Sequence, residues 1–312
     1  MQRKNICSLF FLLVVPVSAA SACGGSDGGD GETPDGAVDS GATGDSLTPP
    51  VDGDAGGTDS IVPTDEACPR PTTNDPDIKQ ELPKVYIDTT WVAPTGKTIP
   101  VKAGDDLQKA IDSASPGDVV SIDPAGTFKG PITLPKKTGD GWVTIRSSAA
   151  DGTALPKPGQ RATPTHAKSM PKITAPSTEP GIRTAAGAHH YRLIGLEVLP
   201  VDESVTIYQL VELGNGSEKT VDQLPHDIIL DRMYVHGYAK SSVKRCVQLN
   251  TGASAVIDSW MAECHVVGQD AQAVAGFNAT GPIKIVNNHL EGSGENVIFG
   301  GADPAITDLV PA

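Results

Sequence analysis

The chain has 312 residues, and 38 acidic against 24 basic side chains leave a formal charge of −14. Residues 1–23 carry +2 through Arg3 and Lys4, residues 24–66 hold eleven acids and no base, and the other 246 residues carry only −5. A mildly acidic body without a basic face excludes electrostatic capture of nucleic acid, and 4% aromatics with 34 Gly and 26 Pro favour many short strands around an aliphatic core over a helical bundle.

At the N-terminus, Arg3 and Lys4 precede an apolar run from Ile6 to Val17 that Pro16 interrupts. The run is shorter than the ~20 residues a bilayer span requires, and small residues follow it, which is the layout of a secretory signal peptide over 1–22. Ala20-Ser21-Ala22-Cys23 resembles the lipobox of bacterial lipoproteins, with Ala20 where Leu is usual. That resemblance implies lipidation of Cys23 and a membrane contact through an N-terminal lipid anchor; ordinary cleavage after Ala22 is the alternative. Residues 23–77 are Gly, Asp, Ser, Thr and Pro with almost nothing to bury, so they are expected to form a disordered, acidic, self-repelling linker. The expected location is outside the cytoplasm, lipid-anchored at the outer membrane or cell surface, or secreted.

A folded domain is expected over 78–312, with regular structure from about residue 97. Leu107, Ala110, Ile111 and Ala114 fall at i, i+3, i+4 and i+7, the apolar face of one short helix. Asp105 is placed to cap it, with Gln108 three residues on completing a capping box. Pro116-Gly117-Asp118 ends it, and short strands follow at Val119–Ile122, Phe128, Ile132–Leu134 and Trp142–Ile145. The Pro-rich excursion 151–181 reads as a long loop on the flank, with Arg161 and His166 as candidate functional residues.

The second half repeats. Leu230–Val235, Ile257–Met261 and Val286–Leu290 align on Asp231, Asp258 and Asn287, and Cys246–Leu249, Ala273–Gly276 and Asn296–Phe299 form a second series at nearly the same period. Two interleaved series mean several strands per repeat, each lying over its counterpart. The fold class is therefore all-β, a parallel β-coil (a solenoid) whose short N-terminal α-helix plugs one end. The Asp231, Asp258 and Asn287 file is expected to hydrogen-bond the corner from rung to rung rather than hold a metal. The last apolar rung has no cap in the sequence, so the coil is expected to be truncated at its C-terminal end or covered by a partner.

Val101–Ile111 (VKAGDDLQKAI), Pro116-Gly117-Asp118 and Gly126-Thr127-Phe128 resemble the N-terminal cap and first rung of right-handed parallel β-helix proteins of the pectate lyase-like superfamily. Gly187–Arg192 (GAHHYR), Gln269–Ala273 (QDAQA), Asn287–Glu291 (NNHLE) and Gly294–Gly301 (GENVIFGG) are similar to an exported bacterial branch of those proteins without assigned activity. The likeness covers roughly 97–312 and implies fold more than reaction. It implies an acidic polysaccharide ligand and a groove along one sheet. In lyases of the superfamily it implies a Lys or Arg base acting beside Ca²⁺ held by carboxylates.

Strand alternation in the second series points Val247, Leu249, Val274, Gly276, Val297 and Phe299 inward. Cys246, Gln248, Asn250, Ala273, Ala275, Phe277, Asn296 and Ile298 then face outward, a set with no carboxylate or cation and no calcium-lyase centre. Just before these strands, Arg245, Gln272 and Glu295 should stack on consecutive rungs. Arg245 and Glu295 are the candidate catalytic pair, and Lys244, Asp270, Gln272 and Phe277 the candidate substrate-binding residues. His189 and His190 cannot share an ion, because neighbours on a strand face opposite ways. His236 and His265 precede successive strands and can approach each other. Cys246 and Cys264 suit a disulfide in an oxidising compartment, although two buried thiols are the favoured reading and Cys68 is left over. Two functions remain open: a surface protein that binds and degrades acidic polysaccharide in a lyase-like way, and a non-catalytic glycan-binding or adhesive lipoprotein.

Overall fold

The computed structural model describes residues 84–309. The signal peptide, Cys23, the linker over 23–77 and Cys68 lie outside the described residues. Nineteen described strands, β1–β19 in chain order, form three sheets that are parallel throughout. Sheet A stacks β1 (Thr98–Val101), β2 (Val119–Ile122), β5 (Val143–Ser147), β8 (His189–Ile194), β11 (His226–Asp231), β14 (Ser254–Ile257) and β17 (Ile283–Val286). Sheet B stacks β3 (Thr127–Lys129), β6 (Lys172–Ala175), β9 (Glu197–Pro200), β12 (Tyr234–His236), β15 (Trp260–Cys264) and β18 (His289–Gly292). Sheet C stacks β4 (Ile132–Leu134), β7 (Ile182–Thr184), β10 (Thr206–Leu213), β13 (Ser242–Leu249), β16 (Gln272–Gly276) and β19 (Glu295–Phe299). Each turn of the chain visits A, then B, then C, which makes the molecule a parallel β-helix.

The core is a column of aliphatic side chains, one rung over the next. Ile132, Ile182, Val211, Val247, Val274 and Val297 occupy one continuous register row of sheet C, and all but the last are fully buried. Helix α1 (Leu107–Ser113) closes the first rung by burying Leu107 and Ile111. Its cap is Asp106, whose side chain accepts from Lys109 N; Asp105 instead accepts from Lys102 N. Gln108 makes no capping box. Its amide exchanges two hydrogen bonds with the Thr133 backbone and ties the helix to β4. The excursion after residue 151 carries a 3-10 helix over Pro164–Ser169 and ends at Pro171, because Lys172–Ala175 is strand β6 of sheet B.

The corner between sheets A and B is set by one left-handed residue per rung: Gly195, Arg232, Asp258 and Asn287, with φ of 62°, 53°, 54° and 56°. Asp231 pairs with Ile257 in β14, one position before that corner. The file is therefore Arg232, Asp258 and Asn287, a one-residue correction to the expected Asp231, Asp258 and Asn287. Asp and Asn tolerate this conformation, whereas Arg rarely adopts it. Arg232 is held there by donating to Asp231, Asp151 and the Pro156 carbonyl while buried. Rung-to-rung bonding at the corner is present: Asn287 donates to Asp258, Asn288 accepts from Ser259 N, and the Ser259 hydroxyl accepts from Met233 N.

Residues 84–95 run without ladder pairing over the outer face of sheet A, before Gly96 N donates to the Gly117 carbonyl and the Lys97 carbonyl accepts from Val119 N. Lys284 donates to the Ile87 carbonyl and the Thr89 hydroxyl, and Arg192 to the Thr89 and Thr90 carbonyls. Ile87 and Trp142 pack on Ile229, Ala255 and Ile257, covering what would otherwise be exposed aliphatic surface.

Candidate functional site

The second sequence series stacks as expected. Val247 pairs with Val274 and Val274 with Val297, while Gln248, Ala275 and Ile298 form the adjacent row. Inside and outside differ from the expectation at two places. Cys246 and Ala273 join the core beside Val247 and Val274, as Leu210 does beside Val211. Alternation is interrupted within these strands, so two consecutive side chains are buried before it resumes. Cys246 forms a disulfide with Cys264, with Cα atoms 5.7 Å apart, where two thiols had been favoured.

Arg245, Gln272 and Glu295 are Cα partners on consecutive rungs, and Gln209 extends the file by one. They sit inside strands β10, β13, β16 and β19 rather than in the loops before them. A second file runs alongside: Thr133, Arg183, Glu212, Gln248, Ala275 and Ile298. The outer face of sheet C thus bears Arg183, Glu212, Arg245 and Glu295, and the expectation of a face without carboxylate or cation is corrected. It came from three rungs only; Val211-Glu212-Leu213 carries the same apolar–polar–apolar signal as Val247-Gln248-Leu249 and could have been aligned with it, whereas Ile182-Arg183-Thr184 breaks the pattern at Thr184.

Amide and guanidinium groups link the two files. Gln209 Nε2 and Arg245 Nη1 both donate to Gln248 Oε1, at 2.9 and 3.3 Å, and Gln248 Nε2 donates to the Gly214 carbonyl at 2.9 Å. Gln272 Nε2 donates to Glu295 Oε2 at 2.8 Å. Two buried atoms of this network have no protein partner: Arg245 Nε, a donor, and Gln272 Oε1, an acceptor, on neighbouring rungs. Such atoms are costly to leave unpaired and mark where a ligand or water completes the network. Burial pulls the Arg245 guanidinium below its ordinary pKa. Burial also pushes the Glu212 carboxyl up; Arg183 opposes the shift, and Glu218 and Glu179 add to it.

The other expected site residues are dispersed around this face. Lys244 lies over the Tyr208 ring at 5.9 Å and donates to Gln269, so it flanks the file. Asp270 is exposed in the turn before β16. Phe277 lies against Gly216, where an added Cβ would stand 2.3 Å from the ring, so its ring covers that loop. Among the described residues no group of three or more His, Cys, Asp or Glu is arranged to hold a metal ion. Glu295 is engaged by Gln272, and Arg183 stands next to Glu212 in register. The donor set does not fit a calcium centre, and no chemical step is assigned to that ion.

Histidines behave differently from expectation. His190 has a φ of 57°, which breaks strand alternation and brings its Nδ1 to 2.8 Å from that of His189, on the same side. His226 stacks on His189 with centroids 5.0 Å apart. His236 and His265 each pair with their own acid, Glu197 and Glu263. Arg161 and His166 line a cavity of about 570 Å³ together with Asn287.

Comparison of the chain with protein-family models, curated proteins and solved structures returns no match. The functional reading therefore rests on the face itself.

Proposed function

We propose that this is an exported, lipid-anchored surface β-helix that binds a linear acidic polysaccharide along the outer face of sheet C. The pectate lyase-like resemblance supplies the ligand class. The observation that carries the reading is the pair of adjacent polar files, Gln209–Arg245–Gln272–Glu295 and Arg183–Glu212–Gln248, with an unpaired donor and an unpaired acceptor between neighbouring rungs. Five rungs, from β7 to β19, at the ~4.8 Å ladder spacing make a track of roughly 19 Å, long enough for several sugar units. Cationic Arg183, Arg245 and Lys244 suit carboxylates, and the amides of Gln209 and Gln272 suit hydroxyls. The disulfide agrees with an oxidising compartment.

A lyase-like second reading is favoured by Arg245 alone. Its guanidinium is half-buried, has no carboxylate partner, and loses its proton more readily than an exposed arginine. As a base it would take the proton α to a uronate carboxyl, while the glycosidic oxygen departs and a double bond forms in the sugar. A panel of uronate polysaccharides, with and without added Ca²⁺, tests both readings. Binding should weaken at least about tenfold in Arg245→Ala, the loss expected when one charge-assisted contact is removed. Ultraviolet absorbance of unsaturated product that vanishes in the same variant establishes the lyase. Wild-type protein that binds none of the panel rejects the polysaccharide reading.

A further inference from the structure

Glu212 is the one carboxylate within the two files that no donor satisfies. Among the described residues no hydrogen bond or ion pair reaches it, although Arg183 and Gln248 are its Cα partners on either side. Arg183 gives its guanidinium to Thr133 Oγ1 at 3.2 Å and Glu179 Oε2 at 3.3 Å instead. Gln248 is saturated by Gln209, Arg245 and the Gly214 carbonyl. Beyond β10, Glu218 adds a second negative charge, held in place by the Asn215 and Gly216 amides at 3.1 and 2.9 Å. A half-buried, unpaired carboxylate thus lies mid-face between the two arginines a polyuronate would use, with two other acids near it and one cation that is already engaged.

We infer that Glu212 is the specificity switch of this face: protonated, it lets a uronate carboxylate settle beside Arg183 and Arg245, and ionised, it repels that carboxylate. The inference rests on the polysaccharide reading and adds to it a proton linked to binding. Ligand carboxylate and Glu212 cannot both be ionised in one half-buried space without cost, so the acidic polymer takes up a proton on the protein as it binds. Burial raises the Glu212 carboxyl from its ordinary value, which moves that uptake toward higher pH. Neutral sugars feel no such penalty. The switch therefore sorts acidic from neutral glycans by pH and favours acidic ones in mildly acidic surroundings.

Binding of polygalacturonate and of its fully methyl-esterified form, measured by calorimetry from mildly acidic to neutral pH, tests this in wild type and Glu212→Gln. Wild type should bind polygalacturonate more weakly as pH rises, and the methyl ester with little pH dependence. Glu212→Gln should bind polygalacturonate about threefold or more tightly at neutral pH, the size expected when one close like-charge contact is removed, and should lose most of the pH dependence. An unchanged thermal midpoint shows that the variant is folded. A folded variant with the wild-type pH profile overturns the switch and leaves the polysaccharide reading standing. A wild type that binds neither polymer overturns both.

Discussion

At the scale of single residues, polar groups that the fold buries are paired with unusual completeness on sheet B. Glu197 is 4% exposed and accepts from both Lys172 and His236. His236 stacks on Tyr234 at 4.1 Å, and both of its ring nitrogens face acceptors, Glu197 and the Gly237 carbonyl. Burial alone would raise the Glu197 carboxyl, but the hydrogen bonds and charges of His236 and Lys172 outweigh it and hold the group below its ordinary 4.5. A depressed carboxyl binds fewer protons when folded than when unfolded, so its contribution is complete above the ordinary value and is lost as pH falls through the folded one. Glu197→Gln should cost about 1–3 kcal/mol at neutral pH, because it removes the charge that Lys172 pairs with and leaves one carbonyl oxygen where two carboxylate oxygens meet Lys172 and His236. In urea unfolding, the gap between wild type and variant should close as pH is lowered below the ordinary carboxylate range. A gap that persists in acid would mean that the carboxylate charge is not what stabilises the site.

At the scale of elements, what was legible in the sequence follows from how regular each piece is. The rows through Val247, Val274 and Val297 were readable because three successive sheet C strands share one spacing and one apolar pattern. Rungs β7 and β10 were missed because the 151–171 loop and the turn before Thr206 change the period there. Arg183, Glu212 and Gln209 were lost from the site with them. The corner file slipped by one because a corner requires a backbone conformation, and Arg232 adopts it through its bonds to Asp151, Asp231 and Pro156, which no local signal announces. The segment over 84–95 was unreadable for a related reason. It has no ladder and no periodicity, and it is held by two cations that donate to its backbone and by Ile87 on the aliphatic patch of sheet A. Ile87→Asp should therefore free this segment without disturbing the sheets, at a cost of about 1–2 kcal/mol. Amide exchange at Thr89–Trp91 and proteolysis within 84–92 should rise, while protection in β8, β11 and β14 stays unchanged. Loss of protection in those strands would show that the segment is integral to sheet A and not an overlay on it.

At the scale of the whole molecule, a solenoid distributes its stability along one axis, because each rung touches only its neighbours. The valine row of sheet C offers the same side chain at four heights: Val211, Val247, Val274 and Val297 are successive Cα partners. The first three are 0% exposed and have a strand on each side; Val297 is 42% exposed and lies in β19, which has one ladder neighbour among the described residues. Truncating a buried valine removes apolar contact and leaves a void that close-packed neighbours cannot fill, whereas at a half-open rung solvent and side-chain motion absorb much of the loss. Val→Ala should cost about 1–3 kcal/mol at each of positions 211, 247 and 274 and under about 1 kcal/mol at 297. Amide exchange should report the same gradient, slowest in β10 and β13 and fastest in β19, since opening the outer rung breaks one ladder and opening an inner rung breaks two. Cys246, adjacent in sequence to Val247, is bonded to Cys264 in β15, one turn further along the chain, so two successive inner rungs are also covalently tied to each other between sheets C and B. Four equal costs, with uniform exchange across sheet C, would mean that the coil unfolds as a single cooperative block, and the nearest-neighbour account of its stability would have to be abandoned.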